Sequence, residues 1–179
     1  YLSKHADHVI TCTPTLDEFA QKYNKNTTDI SSTINTSTYR PVNLYTNKKK
    51  IVLGWSGSFS TSKYLFLLEE VLKNLNQTHP FILKVIGDQD FHIEGLEVDA
   101  IPWKRESEVL DLQEIDIGLY PLPNDPWVYG KSSLKALQYM ALGIPPVATD
   151  IGTTYRVIED TKSGFLVNSE SDWLEKLKL

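Results

Sequence analysis

The chain has 179 residues, which suits one domain of ordinary size with a sizeable core and a fragment of a neighbouring domain. Its formal net charge of −5 argues against a general nucleic-acid-binding protein, because such a protein carries a basic surface that replaces the counterions of the phosphates. A single cysteine excludes an internal disulfide, and no leading apolar run resembles a signal peptide or a membrane span of about 20 residues, so we expect a cytoplasmic protein.

Strand-like apolar runs alternate with helical patterns along the chain. The strand-like runs are HVITC, IVLGW, FILKVIG, VDAIPW, DIGLY, PPVAT and GFLV. The helical patterns are LDEFAQKY, KYLFLLEEVLKNL, SEVLDLQEI, residues 130–145, TYRVIED and SDWLEKLKL. This alternation predicts βαβ units and a mostly parallel sheet. Because such sheets bind ligands at the carboxyl ends of their strands, we expect the functional residues in the loops that follow strands.

The pattern lapses between about residues 27 and 50, where Thr, Ser, Asn and Pro give way to NKKK. This composition is typical of a linker. The lysines at 48–50 suit either an acidic membrane surface or a solvated charge run ahead of a buried strand.

The segment GKSSLKALQYMALGIP, residues 130–145, predicts a helix that is opened by two serines and closed by Gly143. Lys131 and Lys135 would then lie in its first turn. A cation beside a helix N-terminus costs about 0.3–1 kcal/mol unless an anion is also present. The placement therefore predicts a local anion site, with free N–H groups at Ser132, Ser133 and Leu134 that suit a phosphate or diphosphate.

Other interpretations of this segment stay open. The lysines suit an exposed helix start with a serine cap. GKSS also resembles the end of a P-loop, but that pattern needs glycine five residues before Gly130, where the sequence has Asp125.

A second loop, GWSGSFSTSKY, follows the run IVLGW. Glycines at 54 and 57 allow close approach of the backbone to a ligand, and the interspersed serines offer donors. A plain turn in which Ser60 or Thr61 caps the next helix explains the loop nearly as well.

Two tryptophans flank these loops. Trp103 comes at the end of the run VDAIPW, and Trp127 lies just before Lys131. Each suits either a flat binding face for a ligand or a position in the core. The four histidines have no metal-ligand spacing, and we expect Asp88 and Asp90 in a solvated turn.

Taken together, DIGLYPLPNDPWVYGKSSLKALQYMALGIPPVATDIGTT resembles the signature region of the family-four, group-one retaining glycosyltransferases of the GT-B fold. The match runs from about Ile51 to Leu179 and includes LGWSGSFSTSKYL, IDIG at 115–118 and SGFL at 163–166. ADHVITCTPTLDEFAQKY resembles the last strand and helix before the crossover between the two halves of such enzymes. The resemblance implies an α/β fold, a Rossmann-like parallel sheet with helices on both faces, which forms one half of a GT-B enzyme.

On this resemblance, residues 1–50 would be the end of a preceding domain and the interdomain linker, and residues 51–179 the donor-binding domain. The N-terminal half, which holds the acceptor, would be absent, so that this fragment alone would bind nucleotide weakly and catalyse nothing. The donor would be a nucleoside diphosphate sugar, transferred with retention to a glycan or lipid-linked acceptor. A membrane-associated acceptor, with peripheral attachment of the intact enzyme, stays open. Such enzymes typically need neither metal nor cofactor, because basic side chains and a helix N-terminus neutralise the diphosphate.

The resemblance also assigns residues to donor binding by position. They are Lys131, Lys135, Ser133, Leu134, Gly57, Ser58, Gln138 and Trp103. The lysines would contact phosphate, and the serine and leucine at the helix start would offer backbone N–H groups to the phosphate or the sugar. The glycine and serine of the second loop would add donors, and the tryptophan would lie near the nucleobase. No catalytic residue and no metal ligand is assigned in this fragment.

The sequence departs from the family's pattern at several positions. Much of the family has two glutamates separated by seven residues, the first touching the sugar and the second the ribose, where this chain has Gly130 and Gln138. Gln138 can still hydrogen-bond a ribose hydroxyl. Trp55 takes the place of a customary arginine, and Lys63 is a poor substitute for a customary lysine. The alternatives are a catalytically inactive, glycosyltransferase-like scaffold domain and, with less support, a P-loop-like NTP-binding domain.

Overall fold

The computed structural model describes residues 2–42 and 50–178. Strands are β1 Val9–Thr11, β2 Thr27–Asp29, β3 Ile51–Ser56, β4 Phe81–Ile86, β5 Val98–Ile101, β6 Ile117–Tyr120, β7 Pro146–Thr149 and β8 Phe165–Val167. Helices are α1 Leu2–His5, α2 Pro14–Gln21, α3 Phe59–Ser62, α4 Glu69–Thr78, α5 Glu108–Gln113, α6 Leu134–Ala141, α7 Thr154–Val157 and α8 Glu170–Leu177. Two 3₁₀ segments, Lys63–Leu68 and Val128–Gly130, complete the secondary structure of the described chain.

The main sheet has six strands in the order β5-β4-β3-β6-β7-β8. All of its strand pairs are parallel, as the alternating pattern predicts. The chain builds outward from β3 through β4 to β5 and then returns to place β6 on the other side of β3. The order of the strands therefore reverses between β3 and β6. In an open parallel sheet, a crevice at the carboxyl ends of the strands opens at such a point and is where ligands bind.

Helices cover both faces of the sheet, which confirms the predicted fold class. Leu53 and Trp55 of β3 are buried on one face, in a core that also contains Leu72 of α4 and Trp173 of α8. Gly54 faces the other side, where a β-carbon would lie 2.3 Å from the Ile115 side chain. Ile115 belongs to a second core, formed with residues of α5 and α6. The period-two alternation of β3 thus divides its side chains between two helical layers.

The segment with linker composition contains a strand that the sequence pattern did not predict. Thr27 and Thr28 of β2 pair in parallel with Val9 and Ile10 of β1, forming a separate two-stranded sheet. The strand was missed because it is polar, although the β-branched side chain of threonine suits a strand.

The predicted domain boundary between residues 50 and 51 stays a prediction. Of the three lysines at 48–50, those at 48 and 49 lie outside the described residues.

The helix expected over KYLFLLEEVLKNL consists of a 3₁₀ segment, Lys63–Leu68, followed by α4. Both parts bury leucines in the core below β3, so the apolar periodicity was interpreted correctly although the helix type changes. In the described ranges, 2–42 and 50–178, no helix has the length and apolar character that crossing a bilayer requires.

Candidate functional site

A cavity of about 640 Å³ opens at the carboxyl ends of β3 and β6, where the strand order reverses. Its volume lies within the range of about 300–1,000 Å³ that is typical of ligand pockets. Its walls are formed by Ser56, Gly57, Ser58, Phe59, Gly87, Trp103, Glu108, Tyr120, Gly130, Lys131, Ser132, Ser133, Leu134, Lys135 and Gln138. Every residue that the sequence assigned to donor binding is among them.

The helix predicted from residue 130 begins later than expected. Residues Val128–Gly130 form a 3₁₀ turn, Lys131 has extended backbone, and α6 starts at Leu134. Lys135 therefore lies in the first turn of α6, whereas Lys131 precedes the helix. The prediction that both lysines lie in the first turn was wrong, because the serines between them are not helical: residues 131–133 form a short irregular segment, the turn before α6. The two side chains nevertheless line the same cavity.

This turn depends on an unusual backbone conformation at Ser133. Its φ of 58° and ψ of 29° are left-handed, which is uncommon for a residue other than glycine. The Ser133 hydroxyl lies 2.9 Å from that of Thr153, and the Thr153 hydroxyl donates to the Lys131 carbonyl at 2.7 Å. Both hydroxyl-bearing residues are buried. The hydrogen bonds hold the strained turn, and Ser133 makes no side-chain cap of α6, contrary to the serine-cap interpretation.

Backbone N–H groups are available along this turn. In the described part of the chain, the N–H groups of Ser132 and Ser133 donate no hydrogen bond to backbone or side chain. The N–H groups in the first turn of α6 have no partner within the helix, as at any helix start. A helix N-terminus with free donors attracts anions.

Lys135 brings a cation into the cavity wall without a counterion. Its ammonium group lies 5.3 Å from the ring centre of Trp55 and 5.7 Å from that of Tyr120. Within residues 2–42 and 50–178 it forms no ion pair or hydrogen bond. Burial, followed by the positive charge of Lys131, lowers the pKa of Lys135 to about 8. A partly buried cation beside a second cation costs free energy that a bound anion would recover.

Lys131 is similarly free of carboxylates. Its ammonium group lies 5.9 Å from the ring centre of Tyr64, and the described residues give it no ion pair. Other lysines of the chain do pair with acids: Lys84, for example, contacts both Asp99 and Glu114 at 2.7 Å. Lys22 and Lys63 also have no ion pair among the described residues, so the cavity lysines are set apart by lacking acidic partners while lining a cavity.

The loops after β3 and β4 form another part of the wall, and each has a glycine with no room for a side chain. A β-carbon on Gly57 would lie 2.4 Å from the Trp55 ring, and one on Gly87 would lie 1.7 Å from the Gly57 carbonyl oxygen. Gly87 also has a φ of 111°, which favours glycine. The Ser58 hydroxyl contacts those of Ser60 and Thr61. Neither Ser60 nor Thr61 caps the next helix, because α3 begins at Phe59.

Another part of the cavity wall has different chemistry. Gln138, one turn along α6 from Lys135, donates to the Glu108 carboxylate and to the Tyr39 hydroxyl, both at 3.2 Å. The Tyr39 hydroxyl donates to the other carboxylate oxygen of Glu108 at 2.8 Å. Burial raises the pKa of Tyr39, and Glu108 contributes, so the hydroxyl stays protonated. Trp103 is about half exposed on the wall at the same cavity.

Sequence reasoning missed Glu108 and Tyr39. Glu108 begins the helix after β5, so the rule that functional residues follow strands could have indicated it. No sequence signal marks Tyr39, which reaches Glu108 across 69 positions of the chain.

Two other residues that the sequence analysis considered do not line the cavity. Trp127, which could have offered a flat face to a ligand, is 74% exposed and lies outside the cavity wall. Lys63 also lies outside the wall. Asp88 was expected in a solvated turn, but its carboxylate also accepts a hydrogen bond from the Ser62 hydroxyl.

Comparison with known families matches residues 50–178 to the glycosyl transferases group 1. The chain belongs to this family. The match begins at β3 and includes the whole six-stranded sheet and the cavity. No curated protein matches the sequence significantly.

Solved structures of similar fold include TarM, HepE and the C-terminal domain of a group 1 glycosyl transferase. TarM of S. aureus has a TM-score of 0.71 at 18% identity, and the match covers 99% of this chain and 38% of TarM. HepE of Anabaena, solved with UDP and glucose, has a TM-score of 0.73 at 17% identity and coverage of 95% and 52%. The C-terminal domain of LpcC, a group 1 protein of Francisella tularensis, has a TM-score of 0.58 at 20% identity and coverage of 82% and 86%. The chain thus spans about half of HepE and less of TarM.

Proposed function

We propose that this domain binds the donor of a glycosyl transfer, a nucleoside diphosphate sugar, and that the intact enzyme transfers the sugar with retention to a glycan or lipid-linked acceptor. The observation that carries the proposal is the pair of cavity lysines, Lys131 and Lys135, which have no acidic partner among the described residues. Membership of the glycosyl transferases group 1 supports it. So does HepE, a protein of similar fold that was solved with UDP and glucose.

The diphosphate would lie between the lysines and the turn before α6. Its charge would be met by the ammonium groups of Lys131 and Lys135 and by the N–H groups of Ser132, Ser133 and Leu134. Gly57 and Ser58 would approach from the opposing loop. When the bond between sugar and diphosphate breaks, negative charge grows on the leaving phosphate. Donors that are already oriented toward that charge stabilise the transition state more than the bound donor.

The nucleoside would extend toward the part of the cavity wall that Gln138 and Glu108 form. Gln138 and Glu108 offer polar groups to its ribose, and Trp103 offers a flat face to its base. The cavity wall therefore carries both cationic groups and hydrogen-bond acceptors. The phosphates would match the cations at the start of α6, and the nucleoside would match the acceptors.

Calorimetry of the chain with UDP, GDP and their sugar derivatives tests the proposal. We expect saturable binding of at least one of these nucleotides. Lys131→Ala should weaken it about 10- to 100-fold, the range for losing a hydrogen bond to a charged group. Lys25→Ala, which removes an exposed lysine in the N-terminal segment, is the matched control and should leave binding unchanged.

Two outcomes would overturn the proposal. One is the absence of saturable heat with every nucleotide, and the other is equal binding by the Lys131→Ala and Lys25→Ala variants. Turnover by an intact enzyme containing this chain separates a transferase from an inactive scaffold, since a scaffold would bind donor and form no product.

A further inference from the structure

Trp127 is a widely exposed tryptophan that the proposed donor site does not use. Its side chain is 74% exposed, and among the described aromatic residues only Phe59, which lines the cavity, is more exposed. Trp127 lies outside the cavity wall. Water contact forfeits the free energy that burial of the two fused rings would provide, so a tryptophan exposed to this extent is typical of a binding surface.

The loop that carries this tryptophan, residues 121–129, is held by its own hydrogen bonds. The Trp127 N–H donates to the Asp125 carboxylate at 2.8 Å, and the Asp125 N–H donates to the Pro123 carbonyl at 2.9 Å. The Val128 N–H donates to the Asp125 carbonyl at 2.9 Å, and the Val128 side chain is buried in the core. Pro123 and Pro126 restrict the backbone further. A ligand of this loop would therefore lose little affinity to the ordering of its backbone.

Unused donors and acceptors lie in the same loop. The Tyr129 hydroxyl donates to the amide oxygen of Asn124 at 3.2 Å, and the described residues accept neither hydrogen of that amide. One oxygen of the Asp125 carboxylate accepts from the Trp127 N–H, whereas the other accepts nothing within the described ranges. An apolar ring with polar groups close by matches a sugar, which has C–H groups on its faces and hydroxyls around its edge.

Two other kinds of partner fit the loop less well. An anionic lipid surface attracts lysine and arginine, but the single charged residue of the stretch PLPNDPW is Asp125, and the whole chain has a net charge of −5. A nucleobase belongs to a nucleotide in the cavity, where Trp103 already offers a flat face. The chemistry of the loop therefore favours a neutral sugar outside the cavity.

The position of the loop indicates which sugar this is. The Gly130 N–H donates to the Trp127 carbonyl at 3.3 Å, and Gly130 lines the cavity, so that Trp127 lies one 3₁₀ turn from the cavity wall. In the proposed function the sugar of the donor lies inside the cavity, beside the diphosphate. The molecule that receives this sugar has to approach from outside, where Trp127 lies.

We propose that Trp127, Asn124 and Asp125 bind a sugar residue of the acceptor, so that the donor-binding domain also takes part in acceptor recognition. The tryptophan ring stacks on one face of the sugar, and the amide and the carboxylate hydrogen-bond to its hydroxyls. The inference rests on the proposed function, because that function supplies the acceptor. It favours an acceptor that presents a sugar ring over one that presents only a lipid.

Saturation-transfer NMR of the chain with simple sugars tests the inference. The probes are the α- and β-methyl glycosides of glucose, galactose and N-acetylglucosamine. We expect saturable transfer to at least one of them, strongest at the ring protons on one face. Trp127→Ala should weaken this binding about tenfold or more, the range for a central tryptophan of a binding surface, and Trp127→Phe should retain part of it. Tyr23→Ala, which removes another exposed aromatic side chain, is the matched control and should leave it unchanged.

Two further measurements separate this site from the donor site and from damage to the fold. Trp127→Ala should keep the UDP affinity of the unchanged chain, because the residue lies outside the cavity wall. In an intact enzyme that contains this chain, the same variant should raise KM for the acceptor and leave KM for the donor unchanged.

Three results would overturn the inference while the proposed function stands. They are the absence of saturable transfer to every probe, equal sugar binding by Trp127→Ala and the unchanged chain, and an unchanged KM for the acceptor in the intact variant. Binding of phosphatidylglycerol vesicles that depends on Trp127, without sugar binding, would identify a membrane contact instead. If a sugar binds at Trp127 but no nucleotide binds, the proposed function fails, and the assignment of this sugar to an acceptor fails with it.

Discussion

The hydroxyls of Ser133 and Thr153 lie 2.9 Å apart, and the direction of the hydrogen bond between them follows from the next bond in the chain. Thr153 gives its hydrogen to the Lys131 carbonyl at 2.7 Å, so Ser133 must be the donor to Thr153. The loop before α7 thereby holds the turn that carries Lys131. A residue 20 positions away fixes the backbone that presents the phosphate-facing groups.

Replacing Thr153 with valine keeps the side-chain shape and removes both hydrogen bonds. Ser133 and the Lys131 carbonyl would then lose a buried partner, which costs about 1–3 kcal/mol. We expect a lower free energy of unfolding in urea and weaker binding of pyrophosphate. Thr36→Val, at an exposed position, should change neither. Unchanged pyrophosphate binding in Thr153→Val would show that the turn does not depend on this clamp.

The pKa of Lys135 predicts how donor binding depends on pH. In the free protein this pKa is lowered to about 8, by burial and then by Lys131. A bound diphosphate favours the charged form, so binding raises the pKa and takes up a proton. Affinity for UDP should therefore fall as the pH rises from 7 to 9, where the phosphates are already ionised.

Proton uptake can be measured directly. At pH 8 the calorimetric heat of UDP binding should vary with the ionisation enthalpy of the buffer. Lys135→Arg keeps its charge throughout this range and should abolish that dependence. A buffer-independent heat for the unchanged chain would mean that Lys135 does not change its protonation on binding.

The same lysine should destabilise the ligand-free fold. Its pKa falls from 10.5 to about 8 on folding, so between these values the unfolded chain binds more protons than the folded one. Stability should therefore rise with pH from about 8 to about 10.5, and at neutral pH the charged lysine carries the full penalty. Lys135→Met should raise the free energy of unfolding at pH 7 by on the order of 1 kcal/mol and flatten its pH dependence. A less stable Lys135→Met variant would contradict this.

Much of the fold could be predicted because the buried strands are recognisable in the sequence as apolar runs. β3, β4 and β7 are short apolar runs, and they lie where the alternating pattern predicts them. β2 could not be predicted in the same way, because Thr27, Thr28 and Asp29 carry no apolar signal. Its partner β1 and the ion pair of Asp29 with Arg156 hold it in place, and both are tertiary contacts.

The candidate site likewise has parts that strand order predicts and parts that depend on tertiary contacts. Lys131, Gly57 and Trp103 each follow a strand, so topology alone brings them to one end of the sheet. The left-handed backbone of Ser133 could not be predicted, since it depends on Thr153. The hydrogen bonds that join Gln138 to Tyr39 and Glu108 could not be predicted either, because Tyr39 comes from a segment with linker composition.

Removing divalent metals should leave nucleotide binding intact. The ammonium groups of Lys131 and Lys135 supply the charge that a metal ion would otherwise bring to a diphosphate. We expect the dissociation constant for UDP to agree within about twofold in EDTA and in Mg²⁺, because the ammonium groups make charge-assisted hydrogen bonds to the diphosphate without a metal ion. Loss of binding in EDTA, restored by Mg²⁺, would show that the lysines alone are insufficient. Both measurements are made at the same ionic strength, so that screening of the lysine charges does not differ between them.

Two glycines at the cavity should respond in opposite ways to an added methyl group. A β-carbon on Gly57 would lie 2.4 Å from the Trp55 ring, which is buried and cannot move freely, so Gly57→Ala should lower stability by about 1–3 kcal/mol and weaken UDP binding. A β-carbon on Gly130 would meet only Leu16, at 3.6 Å, which is ordinary contact. Gly130→Ala should therefore keep binding and raise stability by about 0.4–1 kcal/mol, because alanine restricts the unfolded chain. Urea unfolding and calorimetry of the two variants decide this, and a Gly130→Ala variant as damaged as Gly57→Ala would mean that the 3₁₀ turn before Lys131 requires glycine for its backbone.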